Sequence, residues 1–123
     1  MRFLSLFSGI EAASVAWKPL GWECVAVAEV EPFPCALLAD HYPTVPNLGD
    51  ITKITQAQIE SLGHIDAVVY GFPCQDLSVA GKRKGLKHAD GTHTRSGLFF
   101  HASDIIRWSR ARWSIAENVP GLF

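Results

Sequence analysis

Apolar residues in this chain come in short runs, separated by longer stretches with helical periodicity. Residues 3–7 (FLSLF) form the first run, a predicted buried strand that Gly9 breaks. Residues 11–20 place Ala12, Ala13, Val15 and Ala16 at helix-compatible spacing until Pro19 and Gly21 end the pattern. Residues 24–28 (CVAVA) predict a second strand. Pro32 suits the first turn of a helix, where its missing N–H would have no partner anyway. That helix would carry Cys35, Leu37, Leu38 and Ala39 as far as Pro43. Residues 47–52 (NLGDIT) predict a strand edge or loop, and Thr55 with Gln58 spells a capping box for a helix to Leu62. Residues 67–70 (AVVY) are a third strand. Leu98, Phe99, Ala102, Ile105 and Ile106 share one stripe of a later helix, and residues 113–117 (WSIAE) predict a last strand. Between them, residues 71–97 are rich in glycine, polar and basic side chains, and connections of that length are usually functional.

Strands alternating with helices predict an α/β fold with a mostly parallel sheet and helices on both faces. Ligands of such sheets sit beyond the carboxyl ends of the strands, where strand order reverses. The residues singled out below all follow a predicted strand.

Composition narrows the setting. At 123 residues the chain fits one domain, and 48% hydrophobic residues support a packed core rather than disorder. No apolar run approaches the roughly 18 residues of a membrane span. The first apolar stretch is soon interrupted by Gly9 and Glu11, unlike a signal peptide. Three cysteines without a CxxC pair signal neither a disulfide framework nor zinc, and the five histidines lack metal-ligand spacing, so no metal is expected. A reducing, cytoplasmic setting follows. The net charge of −1 argues against a nucleic-acid partner, yet residues 1–76 carry 9 acids against 3 bases while residues 77–123 carry 8 bases against 3 acids. A basic face on an acidic body is the reading this split suggests.

Several strand-end residues have chemistry to offer. The turn Phe7-Ser8-Gly9-Ile10-Glu11 has one glycine where a dinucleotide fingerprint wants three, but Glu29 follows Gly9 by 20 residues, the usual place of a ribose-binding acid. Spacing alone favours a plain turn and a solvated strand end. Asp50 could accept a bond from an exocyclic amine such as that of adenine, or could serve a local turn. Cys74, in Gly71-Phe72-Pro73-Cys74-Gln75, has small and polar neighbours, unlike Cys24 and Cys35 in their apolar runs; it is a candidate nucleophile. Glu117 closes the last strand and could hold a proton for transfer, or be an ordinary polar strand end. Lys82, Arg83, Lys84, Lys87 and Arg95 suit phosphate contacts or a solvated loop.

Taken in order, FSGIE, AEVE, GDIT, GFPCQ, RSGLFF and ENVPG resemble the motifs of DNA (cytosine-5) methyltransferases over essentially the whole chain. The resemblance implies a Rossmann-like methyltransferase fold that binds S-adenosylmethionine, incomplete at its C-terminus. It implies Cys74 as the nucleophile adding to C6 of a flipped cytosine in double-stranded DNA and Glu117 as the residue that protonates N3. The cofactor pocket would take Phe7, Ser8, Gly9, Ile10 and Glu11 from the first turn. It would also take Glu29 as ribose acid with Val30 beside it, Asp50 with Ile51 at adenine, Pro73, and the backbone of Leu98. Gln75, Ser78, Lys82, Arg83 and Lys84 would lie in the DNA-closing loop. Val30 stands where some members place an aromatic residue. The family's later arginine motif, target-recognition domain and last cofactor-completing helix have no counterpart after ENVPG. The expectation is therefore a truncated or split enzyme with a complementing chain as partner, or alternatively a non-catalytic fragment that binds cofactor or partner.

Overall fold

The computed structural model describes residues 1–71 and 98–117. Four parallel strands form one sheet, β1 (Arg2–Leu6), β2 (Glu23–Ala28), β3 (Ala67–Tyr70) and β4 (Trp113–Ala116), in the order β2-β1-β3-β4. The chain steps one way from β1 to β2 and then the other way to β3 and β4. Strand order therefore reverses between β1 and β3, which places a ligand crevice beyond their carboxyl ends. Reversal also puts the connecting helices on opposite faces.

Side chains alternate along β1 and sort the two faces. Leu4 and Leu6 join Val68, Tyr70, Ile59, Ala102 and Ile105 in the main buried cluster, beneath α3 (Gln56–Ser61) and α4 (Phe99–Ser109). Phe3 points the other way and meets Trp17 of α1 (Ala12–Trp17) edge-on, ring centres 4.9 Å apart. Burial is complete at the centre: Leu4 and Val68 are 0% exposed, and truncating Leu4 to Ala would cost about 2–5 kcal/mol.

The predicted elements appear with shifts at their ends. The helix drawn from residue 11 divides into α1 and a 3-10 turn (Lys18–Leu20), closed by Gly21 at φ +69°, a left-handed C-cap that glycine adopts freely. The predicted capping box forms: the Thr55 amide donates to Gln58 Oε1 (2.9 Å) and the Gln58 amide to Thr55 Oγ1 (3.2 Å). α2 (Pro32–His41) starts with its proline as expected but buries only Leu38 among its residues. The NLGDIT segment makes a single parallel bridge to Val27 of β2 and then a 3-10 turn (Ile51–Lys53).

Candidate active site

The carboxyl ends of the strands surround a cavity of about 700 Å3, well within the range of small-molecule sites. Phe7 enters from β1, Glu29 with Val30 and Glu31 from β2, Gly71 from β3, and Leu98 from the start of α4. Gly49, Asp50 and Ile51 close the side next to β2.

The first turn is conformationally unusual. Phe7 (φ +53°), Gly9 (φ +54°) and Glu11 (φ +63°) all occupy the left-handed region, which residues with a Cβ rarely adopt. Such strain persists where surrounding bonds fix it. Here the Ser8 amide donates to the Ala28 carbonyl (3.2 Å), the Ser8 hydroxyl to the Ser5 carbonyl (2.9 Å), and the Glu11 amide to the Ser8 carbonyl (2.8 Å). The Gly9 amide donates to Glu29 Oε2 at 2.7 Å, so the turn after β1 and the acid after β2 are joined directly.

Glu29 is correspondingly well fixed. Its Oε1 accepts from the amides of Val30 and Glu31 (both 3.0 Å), whereas Oε2 accepts only from Gly9 among the described residues and keeps a lone pair. Asp50 divides its oxygens in the same way. Oδ1 accepts from the Thr52 amide (2.9 Å) and hydroxyl (2.8 Å), leaving Oδ2 without a bond from the described residues. The Thr52 amide, then its hydroxyl, hold the Asp50 carboxyl below its ordinary pKa. It is thus an anionic acceptor at neutral pH.

An adenosine-bearing cofactor would fit this donor set. Glu29 and Asp50 offer acceptor oxygens to hydroxyl and amine groups, while Phe7, Ile51 and Leu98 supply apolar walls.

Not every residue of the first turn faces the cavity. Glu11 is 1% exposed and turned inward, where Oε1 accepts from the Ser14 amide (3.1 Å) and hydroxyl (3.0 Å) and caps α1. Its Oε2 is buried without a partner among the described residues. Ser8 stitches β1 to β2, and Ile10 lies exposed to solvent; neither is among the cavity walls. Cys24 lies in β2, where burial first, then the charge of Glu11, pushes its thiol up to about 12.

Glu117 follows β4 directly, and its amide donates to the Tyr70 carbonyl at the end of β3 (3.0 Å). Its carboxylate lies beside Gly71, so close that a Cβ on Gly71 would sit 3.2 Å from Oε2. The ENV glutamate thus adjoins the first residue of GFPCQ. Pro73, Cys74, Gln75, Ser78, Lys82, Arg83 and Lys84 lie outside the described residues.

The model of the family described as C-5 cytosine-specific DNA methylase matches residues 1–123, the whole chain. The chain belongs to the C-5 cytosine-specific DNA methylase family. A protein of Escherichia phage P1 named DNA N-6-adenine-methyltransferase is 50% identical over 135 residues, covering 96% of this chain and 16% of the relative. Type II methyltransferase M.NgoBV of Neisseria gonorrhoeae is 34% identical over 128 residues, covering 99% of this chain and 28% of the relative. Among solved structures, a mutant of Spodoptera frugiperda DNMT2 superposes with a TM-score of 0.74 at 25% identity, covering 98% of this chain and 36% of that one. This member of the family therefore spans between about a sixth and a third of the length of these relatives.

Sequence reasoning passed over Asn47, Gly49 and Gly71. Asn47 had a local signal: its Oδ1 accepts from the Gly49 amide two residues on (3.0 Å), an Asx-turn that Asn-x-Gly often makes.

Proposed function

We propose that residues 1–123 are a cofactor-binding and catalytic unit for methyl transfer from S-adenosylmethionine to C5 of cytosine in DNA. The observation that carries this reading is the convergence of Phe7, Glu29, Asp50 and Leu98 on one cavity at the strand-order reversal, in a chain of this family. Glu29 Oε2 receives a ribose hydroxyl, Asp50 Oδ2 the adenine amine, and Phe7, Val30, Ile51 and Leu98 enclose the rings. When bound, the cofactor supplies an electrophilic methyl group.

The remaining steps belong to the chain's own side chains and a cytosine flipped out of double-stranded DNA. The Cys74 thiolate adds to C6 while Glu117 gives a proton to N3, so that electron density gathers at C5. C5 then takes the methyl group, leaving S-adenosylhomocysteine; the C5 proton leaves to a base, the C6–S bond breaks to release the Cys74 thiolate, and N3 returns its proton to Glu117, giving 5-methylcytosine. The adjacency of Glu117 and Gly71, three residues before Cys74, supports this division of labour. Pro73 shapes the passage between cofactor and base. Gln75, Ser78, Lys82, Arg83 and Lys84 contact DNA, and Ser8, Gly9, Ile10 and Glu11 serve the cofactor through the backbone of their turn. Reading the DNA sequence falls to further polypeptide carrying the family's later motifs, on this chain or a complementing one. A cytoplasmic location, beside its DNA substrate, belongs to this reading.

The name of the phage P1 relative raises methylation at adenine N6 as a second reading. Nucleoside analysis separates the two. DNA incubated with the protein and labelled S-adenosylmethionine, plus any complementing polypeptide, is expected to yield labelled 5-methylcytosine, and the Cys74→Ser variant none. Label in N6-methyladenine, unaffected by Cys74→Ser, would replace this reading with the other.

A further inference from the structure

Asn47 is exposed, yet its side chain amide uses its whole hydrogen-bonding capacity on neighbouring protein. Oδ1 accepts from the amides of Glu29 (3.1 Å) and Gly49 (3.0 Å), and Nδ2 donates to the Glu29 carbonyl (3.2 Å) and to Cys35 Sγ (3.4 Å). Cys35 Sγ in turn donates to the same Glu29 carbonyl (3.2 Å). The flanking backbone is bound as well, the Val27 amide donating to the Pro46 carbonyl (3.0 Å) and the Leu48 amide to the Val27 carbonyl (2.8 Å). An exposed amide could satisfy itself with water. Instead, one planar group clamps both backbone polar atoms of Glu29 and the turn that leads straight into Asp50.

We infer that Asn47 is a positioning residue that fixes the ends of the Glu29 and Asp50 segments relative to each other, so that the two acids form one preset edge for the adenosine part of the ligand. Asn47 is absent from the cavity walls and acts only through its neighbours. The inference rests on the reading that this cavity takes S-adenosylmethionine. Presetting both acids lowers the ordering cost of binding, the general source of affinity in preorganised sites.

A double-mutant cycle on the full chain tests it, with S-adenosylmethionine affinity measured by calorimetry and folding followed by Tm. Asn47→Ala is expected to weaken binding about tenfold in the wild-type background and by about threefold in Glu29→Gln, where only Asp50 is left for the clamp to position. Asn47→Ser serves in its place if the alanine variant does not fold. Affinity within twofold of wild type, or the same tenfold loss in both backgrounds, would overturn the positioning role. No binding by folded wild-type protein would instead overturn the cofactor reading beneath it.

Discussion

The two ends of the sheet use the same side-chain types for opposite purposes. At the amino end, Asp66 accepts from the Arg2 amide with Oδ2 (2.7 Å) and pairs with His64 Nε2 through Oδ1 (2.9 Å). The Arg2 guanidinium donates to the carbonyls of His64 and Leu62 (both 3.1 Å) and faces Glu23 at 3.6 Å. These bonds tie the start of β1 to the loop before β3, where long sequence separation makes closure entropically costly. At the carboxyl end, Glu29 and Asp50 each spend one oxygen's full capacity on adjacent residues and hold the other, with acceptor capacity left, beside a cavity. Carboxylates that bond the chain and also line the cavity mark the binding end; Asp66, whose bonds join separate segments away from that cavity, marks the structural end.

The strongest way to break this contrast is to exchange losses between the ends. Glu29→Ala should weaken S-adenosylmethionine binding about 100-fold in calorimetry, since it removes charged hydrogen bonds and frees the Gly9 amide. Asp66→Ala should leave that affinity within about twofold while lowering the Tm. A smaller effect is expected at Gly71. Gly71→Ala would press on Glu117 Oε2 and displace it by a few tenths of an ångström, cutting methyl transfer about tenfold.

Smaller again is the pH signature of the amino end. The Arg2 amide, then His64, hold the Asp66 carboxyl below its ordinary value of 3.8. A depressed folded-state pKa contributes stability that is present above the unfolded value and lost as pH falls through the folded one. Tm measured below pH 4 should therefore fall more steeply in wild type than in Asp66→Asn. The least effect concerns Cys24, whose raised thiol should resist iodoacetamide at pH 8 in the folded protein, as peptide mass mapping would show.

Much of the binding end was legible because its logic is local. An apolar run, a glycine and an acid 20 residues later locate β1, the turn and the end of β2, and the Thr55–Gln58 box is a contact within one turn of helix. Phe7 was drawn into the first strand by its hydrophobicity, yet it leaves the strand in a left-handed conformation that periodicity does not encode. The motif resemblance assigned Glu11 to the cofactor pocket, whereas its side chain caps α1 from inside; orientation at φ +63° depends on what lies beneath the turn. The helix across residues 32–41 shows the same limit. It carries Cys35, Leu37, Leu38 and Ala39 as expected, but only Leu38 is buried and Phe33 is 73% exposed, because burial requires a neighbouring element as well as a pattern. The candidate nucleophile and the basic loop rest on sequence alone, since both lie outside the described residues.

The most direct test of the account is calorimetric titration of the folded chain with S-adenosylmethionine, wild type beside Glu29→Ala. Saturable binding by wild type, weakened about 100-fold in the variant, is the predicted result. No heat from wild type at millimolar cofactor, or equal affinity in the two proteins, would contradict the assignment of the strand-end cavity.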